Sequence, residues 1–151
     1  MKRVAIGSDH AGFEAKELLR VWLVERGHPV DDVGTHGTHS VDYPDFAFEV
    51  ASRVAGGEAD FGVLVCGTGI GMSIAANKVA GVRAAVCTNS YSARLARAHN
   101  RANVLCLGAR VCGSGHLEDI LRSFLETPFE GGRHLGRIDK IHRREADGGG
   151  R

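Results

Sequence analysis

The chain carries almost no net charge: across 151 residues, 19 Lys and Arg stand against 18 Asp and Glu, a formal balance of +1. That excludes a generally basic nucleic-acid coat protein and an acidic tail protein. No apolar run approaches the roughly eighteen residues of a membrane span. Neither nucleic acid nor membrane is therefore an expected partner. Cysteine is sparse as well. Cys66, Cys87, Cys106 and Cys112 contain no C-x-x-C pair, and no Cys/His spacing matches a zinc site, so no metal is expected. Three of the four interrupt or end apolar runs, as small buried hydrophobes in a reducing compartment do. The N-terminus reaches Asp9 before a signal-peptide core can form, so the cytoplasm is the expected location.

One local absence is informative. From Phe61 to Leu117 there is no Asp or Glu, while Lys78, Arg83, Arg94, Arg97, Arg101 and Arg110 all fall there. The first sixty residues lean acidic instead. The acid-free middle fits an anionic ligand or partner; equally, these cations could face the acidic first segment of the same or a neighbouring chain.

What is present reads as an ordinary soluble fold, 43 % hydrophobic and 25 % charged. The length suits one domain with its own core, expected over residues 1–140, with 141–151 as a polar, disordered tail. Five short apolar runs, Arg3–Ser8, Pro29–Val33, Phe61–Cys66, Val82–Cys87 and Asn103–Leu107, read as strands covered on both faces. Helical stripes separate them. Ala11, Ala15, Leu18, Leu19, Trp22 and Leu23 follow one helix face; Phe46, Val50, Ala51 and Val54 follow another behind Pro44; Leu117, Ile120, Leu121, Phe124 and Leu125 make a further one. A last polar helix is expected after Pro128. The strand–helix alternation predicts an α/β fold, a three-layer α/β/α doubly wound sandwich on a five-stranded parallel sheet, Rossmann-like, with ligands at the carboxyl ends of the strands.

The strongest local motif is Cys66-Gly67-Thr68-Gly69-Ile70-Gly71, directly after a predicted strand. Alternating glycines allow a sharp turn that exposes successive N–H groups, an anion-binding nest. Met72 stands where a dinucleotide fingerprint would need glycine, and the Lys of a P-loop is missing. A tight structural turn explains the loop equally. Cys66 at the strand end would be held as thiolate by exposed N–H groups, ready to act as base or nucleophile, or is simply core. Asp9-His10 ends the first strand on the same rim, where Asp9 could serve only as a helix cap. His99-Asn100 closes a helical stretch, a common place for a cap. Arg133 and Arg137, four apart, would share one helix face as a phosphate clamp or as a solvated surface. His36 and His39 lie in a Gly/Thr loop without a third partner and read as solvated.

Taken together, Ser8-Asp9-His10-Ala11-Gly12, Asp42-Tyr43-Pro44-Asp45, the Cys66–Gly71 loop, His99-Asn100 and the Arg133/Arg137 pair resemble the type B ribose-5-phosphate isomerase family, in order, from residue 1 to about 140. That family also includes galactose- and allose-phosphate isomerases. The resemblance implies a metal-free, cofactor-free aldose–ketose isomerase interconverting D-ribose 5-phosphate and D-ribulose 5-phosphate through ring opening and a cis-enediolate. It implies His99 as acid/base in ring opening, Asp9 on the sugar hydroxyls, and Cys66 moving the proton from C2 to C1. The N–H groups of Gly67, Gly69, Ile70 and Gly71 would hold the oxyanion and Thr68 would relay a proton. Tyr43 and Asn100 would contact the open chain, and His10, Arg110, Arg133 and Arg137 the phosphate. It further implies a homodimer, or a dimer of dimers, with each site shared between subunits; His99, Asn100 and Arg110 are the candidates for the trans contribution. Some family members carry Ser in place of Cys66 and use a Glu in the following helix; Met72 to Lys78 contains none, which favours the cysteine. A hexose 6-phosphate isomerase (allose or galactose) on the same scaffold remains open, as does a non-catalytic phosphate-binding module. A thiol redox protein would need a resolving cysteine, and none is near Cys66.

Overall fold

The computed structural model describes residues 1–148. The strands are β1 (Val4–Ser8), β2 (Val30–Asp32), β3 (Phe61–Cys66), β4 (Ala84–Val86) and β5 (Val104–Gly108). The helices are α1 (Phe13–Glu25), α2 (Tyr43–Ala55), α3 (Ile70–Ala76), α4 (Ser90–Ala98), α5 (Ser114–Glu126) and α6 (Arg133–Gly148). The strands form one parallel sheet in the order β2-β1-β3-β5-β4.

Alternation along the three central strands divides the core in two. Val4, Ile6, Val63, Val65, Leu105 and Leu107 pack with α1, α4 and α5. Ala5, Leu64, Cys66, Val104 and Cys106 face α2 and α3. These strands are buried throughout, as continuous apolar runs require. The doubly wound sandwich expected from the alternation is the architecture observed. The outer strands differ from expectation: β2 and β4 are only three residues long and half-buried, because each has a neighbour on one side alone.

Two further differences matter. Lys16 lies within the first helical stripe, yet its side chain is fully buried, with Nζ 2.8 and 2.7 Å from the two Asp32 carboxylate oxygens and 2.9 Å from Glu17 Oε1. Pairing and hydrogen bonding make burial of that charge tolerable. Arg20 and Lys16 hold the Glu17 carboxyl down to about 2. Secondly, the expected tail from 141 is helical as far as Gly148, a continuation of α6. It is tied back by Glu145, which accepts from the Gly81 N–H at 3.0 Å, and by His142, 2.8 Å from Arg83 Nη1. Gly149 to Arg151 of that expected tail lie outside the described residues. Among the described residues, no helix is long and apolar enough to cross a membrane.

Candidate active site

Register fixes the rim on which the site is built. Ser8 of β1 pairs with Val65 of β3, and Cys66 pairs with Gly108 of β5. Asp9, Cys66 and the segment leading to Arg110 therefore emerge side by side at the carboxyl ends of three adjacent strands, where a doubly wound sheet places its ligands.

Each side chain is positioned by a local interaction. Asp9 is 8 % exposed, and its Oδ1 accepts from the Gly12 N–H at 3.0 Å, closing the turn before α1; the cap position of α1 is Gly12, with no side-chain cap, so Asp9 is not the helix cap that its position also allowed. His10 Nδ1 accepts from the Val41 N–H at 3.1 Å, which ties its ring to the loop before α2. The turn after β3 is closed by sulfur: Cys66 Sγ accepts from the Gly69 N–H at 3.1 Å. Gly69 has φ +81°, a left-handed conformation that L side chains rarely adopt, and a Cβ there would also press on the Leu107 backbone. Thr68 Oγ1 accepts from the Ile70 N–H at 3.2 Å. The first-turn N–H groups of Gly71 and Met72 have no acceptor within their helix.

Asp9, His10, Tyr43, Cys66, Thr68 and Gly71 line one open cavity of about 540 Å³, with Gly71 packed close against the Tyr43 ring. Arg110 completes it from the same chain, its guanidinium lying over Gly67. That placement corrects the expectation of a trans role for Arg110: the β5 end is next to β3, so its side chain reaches its own loop. Cys66 itself is 6 % exposed, packed toward α2 and α3 but lining the cavity. Cys87, Cys106 and Cys112 are buried and free. Burial pushes each of those three thiols above its ordinary range, leaving them as neutral packing groups.

His99, Asn100, Arg133 and Arg137 do not line this cavity. His99 caps α4 and stacks on His134 of α6, ring centroids 4.4 Å apart with 17° between planes. Arg137 Nη1 lies 3.4 Å from His134 Nδ1. His134 is buried, whereas Arg133 and Arg137 are exposed. Burial first, and then the neighbouring His99, Arg133 and Arg137, hold the His134 imidazole below its ordinary range. One chain thus carries two separate halves: a thiol and amide cradle at the sheet rim, and a cationic His/Arg cluster where α4 meets α6. His134 and Glu130 were not among the candidates read from the sequence. Nothing local marks them; only the chain reversal between α5 and α6 brings them to His99.

Comparison with known proteins adds an independent line. The Ribose/Galactose Isomerase family model matches residues 4–141. The chain is 51 % identical to ribose-5-phosphate isomerase B of Escherichia coli over 141 residues, 93 % of this chain and 95 % of that one. Among solved structures, ribose-5-phosphate isomerase B of Clostridium thermocellum superposes with a TM-score of 0.95 at 53 % identity, covering 96 % of this chain and 98 % of that one. The Mycoplasma genitalium ribose-5-phosphate isomerase B with bound ribulose-5-phosphate superposes with a TM-score of 0.93 at 44 % identity, covering 96 % and 97 %.

Proposed function

The chain belongs to the Ribose/Galactose Isomerase family, and from that premise we propose that it interconverts D-ribose 5-phosphate and D-ribulose 5-phosphate in the cytoplasm, with Cys66 as the base. The observation that carries this reading is the Cys66 sulfur, 3.1 Å from the Gly69 amide on the wall of a cavity shared with His10 and Arg110. The Gly69 amide fixes the sulfur on the cavity wall, in position to take a proton from a bound substrate.

The reaction has three parts. As the C1–O4 bond of the furanose breaks, His99 takes the proton of the C1 hydroxyl and delivers it to the ring oxygen, leaving the C1 aldehyde, while Asp9 holds the sugar hydroxyls. The Cys66 thiolate then removes the proton from C2, and the electrons flow to the carbonyl oxygen at C1, giving a cis-enediolate. Returning the proton to C1 while the C2 oxygen becomes the carbonyl yields the ketose and restores the thiolate. N–H groups of the Gly67–Gly71 loop stabilise the enediolate oxygen, each such donor being worth about 3 kcal/mol in comparable sites. Thr68 relays protons between the sugar oxygens, and Tyr43 and Asn100 hold the open chain. His10, Arg110, Arg133 and Arg137 hold the phosphate.

Because His99, Asn100, Arg133 and Arg137 stand away from the Cys66 cavity in one chain, these roles require a second copy to supply them. A homodimer with two shared sites meets that requirement, and isologous symmetry completes both at once. Residues 1–140 supply every group used, so we read them as the isomerase unit.

Alkylation tests the reading. Iodoacetamide should label Cys66 fastest of the four thiols, and ribose 5-phosphate should protect it while inorganic phosphate protects less. Labelling of Cys66 that is indifferent to ribose 5-phosphate would remove the thiol from the site.

A further inference from the structure

The reversal between α5 and α6 sets Glu130 and His134 against His99, and the three side chains converge. His134 Nε2 is 3.5 Å and His99 Nε2 3.7 Å from the same Glu130 carboxylate oxygen. One ligand atom from each residue lies within 4.8 Å of the other two. His134 is only 4 % exposed, and its Nε2 makes no hydrogen bond. An unpaired buried polar atom is costly, and this one lies nearest a carboxylate oxygen; the two imidazoles are stacked, so His99 must turn out of the stack for both rings to present a nitrogen to one ion. A tetrahedral zinc ion with bonds of about 2.0–2.1 Å places its ligand atoms roughly 3.3 Å apart. Both edges to Glu130 are already within a few tenths of an ångström of that separation.

We propose that His99, Glu130 and His134 form an inhibitory site for a borderline divalent transition-metal ion such as Zn²⁺, with a fourth position open to water. Two imidazoles and one carboxylate suit Zn²⁺, Ni²⁺ or Cu²⁺ rather than Mg²⁺ or Ca²⁺, which prefer oxygen. Arg133 and Arg137 stand close by and weaken cation binding, so the site is much looser than a structural zinc centre. Inhibition rests on the role of His99 in ring opening: an imidazole held by a metal ion is fixed in place and no longer free to carry a proton between the sugar oxygens. Metal binding itself does not depend on that role.

The test uses the full chain in a Cys66→Ser background, so that the active-site thiol contributes no ligand. Co²⁺ is followed by its visible absorption, and Zn²⁺ by competition with a chromophoric chelator. One Co²⁺ per chain is expected, with tetrahedral d–d bands and no thiolate charge-transfer band. Glu130→Gln, at an exposed position, and His134→Gln should each weaken both metals at least tenfold. Unchanged affinity in both variants would overturn the site, as would a thiolate band. In the protein with Cys66 present, Zn²⁺ should inhibit turnover reversibly, with activity restored by EDTA, and Glu130→Gln should raise the inhibitory concentration at least tenfold. Tight binding at these residues without inhibition would overturn the inhibitory role and count separately against His99 in ring opening.

Discussion

Replacing Gly71 by alanine separates the site from the fold that carries it. A Cβ at Gly71 would lie 2.5 Å from Tyr43 Cε1 and 2.7 Å from Cζ, closer than such contacts occur, so one side must move. The obstacle is the ring of a partly exposed tyrosine, which can swing outward. Overpacking of this kind costs about 1–3 kcal/mol when nothing yields, and less when a side chain can rotate. Against that stands a gain of up to about 1 kcal/mol from replacing glycine inside a helix. Net stability should therefore change by less than about 1 kcal/mol. The displaced ring, however, opens a wall of the substrate cavity, and KM for ribose 5-phosphate should rise about tenfold or more. Gly12→Ala is the contrast: its Cβ would meet the Val65 carbonyl oxygen at 2.3 Å and the carbonyl carbon at 2.6 Å. Backbone of a central strand cannot swing aside, so that variant should lose more than about 3 kcal/mol. Urea unfolding and steady-state kinetics on both variants decide the matter. A Gly71→Ala protein with unaltered kinetics would refute the placement of Tyr43 at the substrate, and a fully stable Gly12→Ala protein would refute the packing of α1 on β3.

Other predictions follow from the same geometry. Arg137→Ala should raise KM roughly tenfold with little change in kcat, as expected for a group that holds phosphate in ground state and transition state alike; an unchanged KM would remove it from the clamp. Mixing inactive Cys66→Ala and His99→Ala proteins and allowing subunits to exchange should restore up to about a quarter of the sites, since random pairing makes half the dimers mixed and each mixed dimer holds one intact site. No recovery after verified exchange would contradict shared sites. Glu17, held at about 2 in the fold against an ordinary 4.5, contributes stability that is present above 4.5 and is lost as the pH falls toward 2. With a side chain 34 % exposed, the effect should stay below about 1 kcal/mol. Glu17→Gln should flatten that part of the stability–pH curve, and an unaltered slope would count against the ion pair.

The parts of the molecule that were legible in sequence are those governed by short-range pattern. Phe61–Cys66 reads as a buried strand because every residue of it is apolar or small, and the observed strand has the same bounds. The glycine loop was equally plain, since a left-handed residue and a close backbone approach both demand glycine. Lys16 was missed because a lysine inside an apolar helical stripe ordinarily reaches water; its burial depends on Asp32, supplied by a different element. The resemblance to shared-site dimers offers Arg110 as a trans contributor, and sequence holds no strand order against which to check it: only the β3–β5 pairing brings it over Gly67. Glu130 and His134 were invisible for a similar reason, as tertiary contact alone relates them to His99. The half-buried edge strands show the same limit, because an apolar run does not reveal which strand has one neighbour.

The most direct measurement follows proton exchange by NMR in deuterated water, with saturating ribose 5-phosphate and either the unaltered protein or Cys66→Ser. The unaltered protein should convert substrate and incorporate solvent deuterium at C1 of ribulose 5-phosphate and C2 of ribose 5-phosphate. The serine variant should still bind, by the shift of the phosphorus resonance, while conversion and deuterium incorporation both fall by about 10²–10⁴-fold. Exchange at a near-normal rate without the sulfur would show that another group moves the proton.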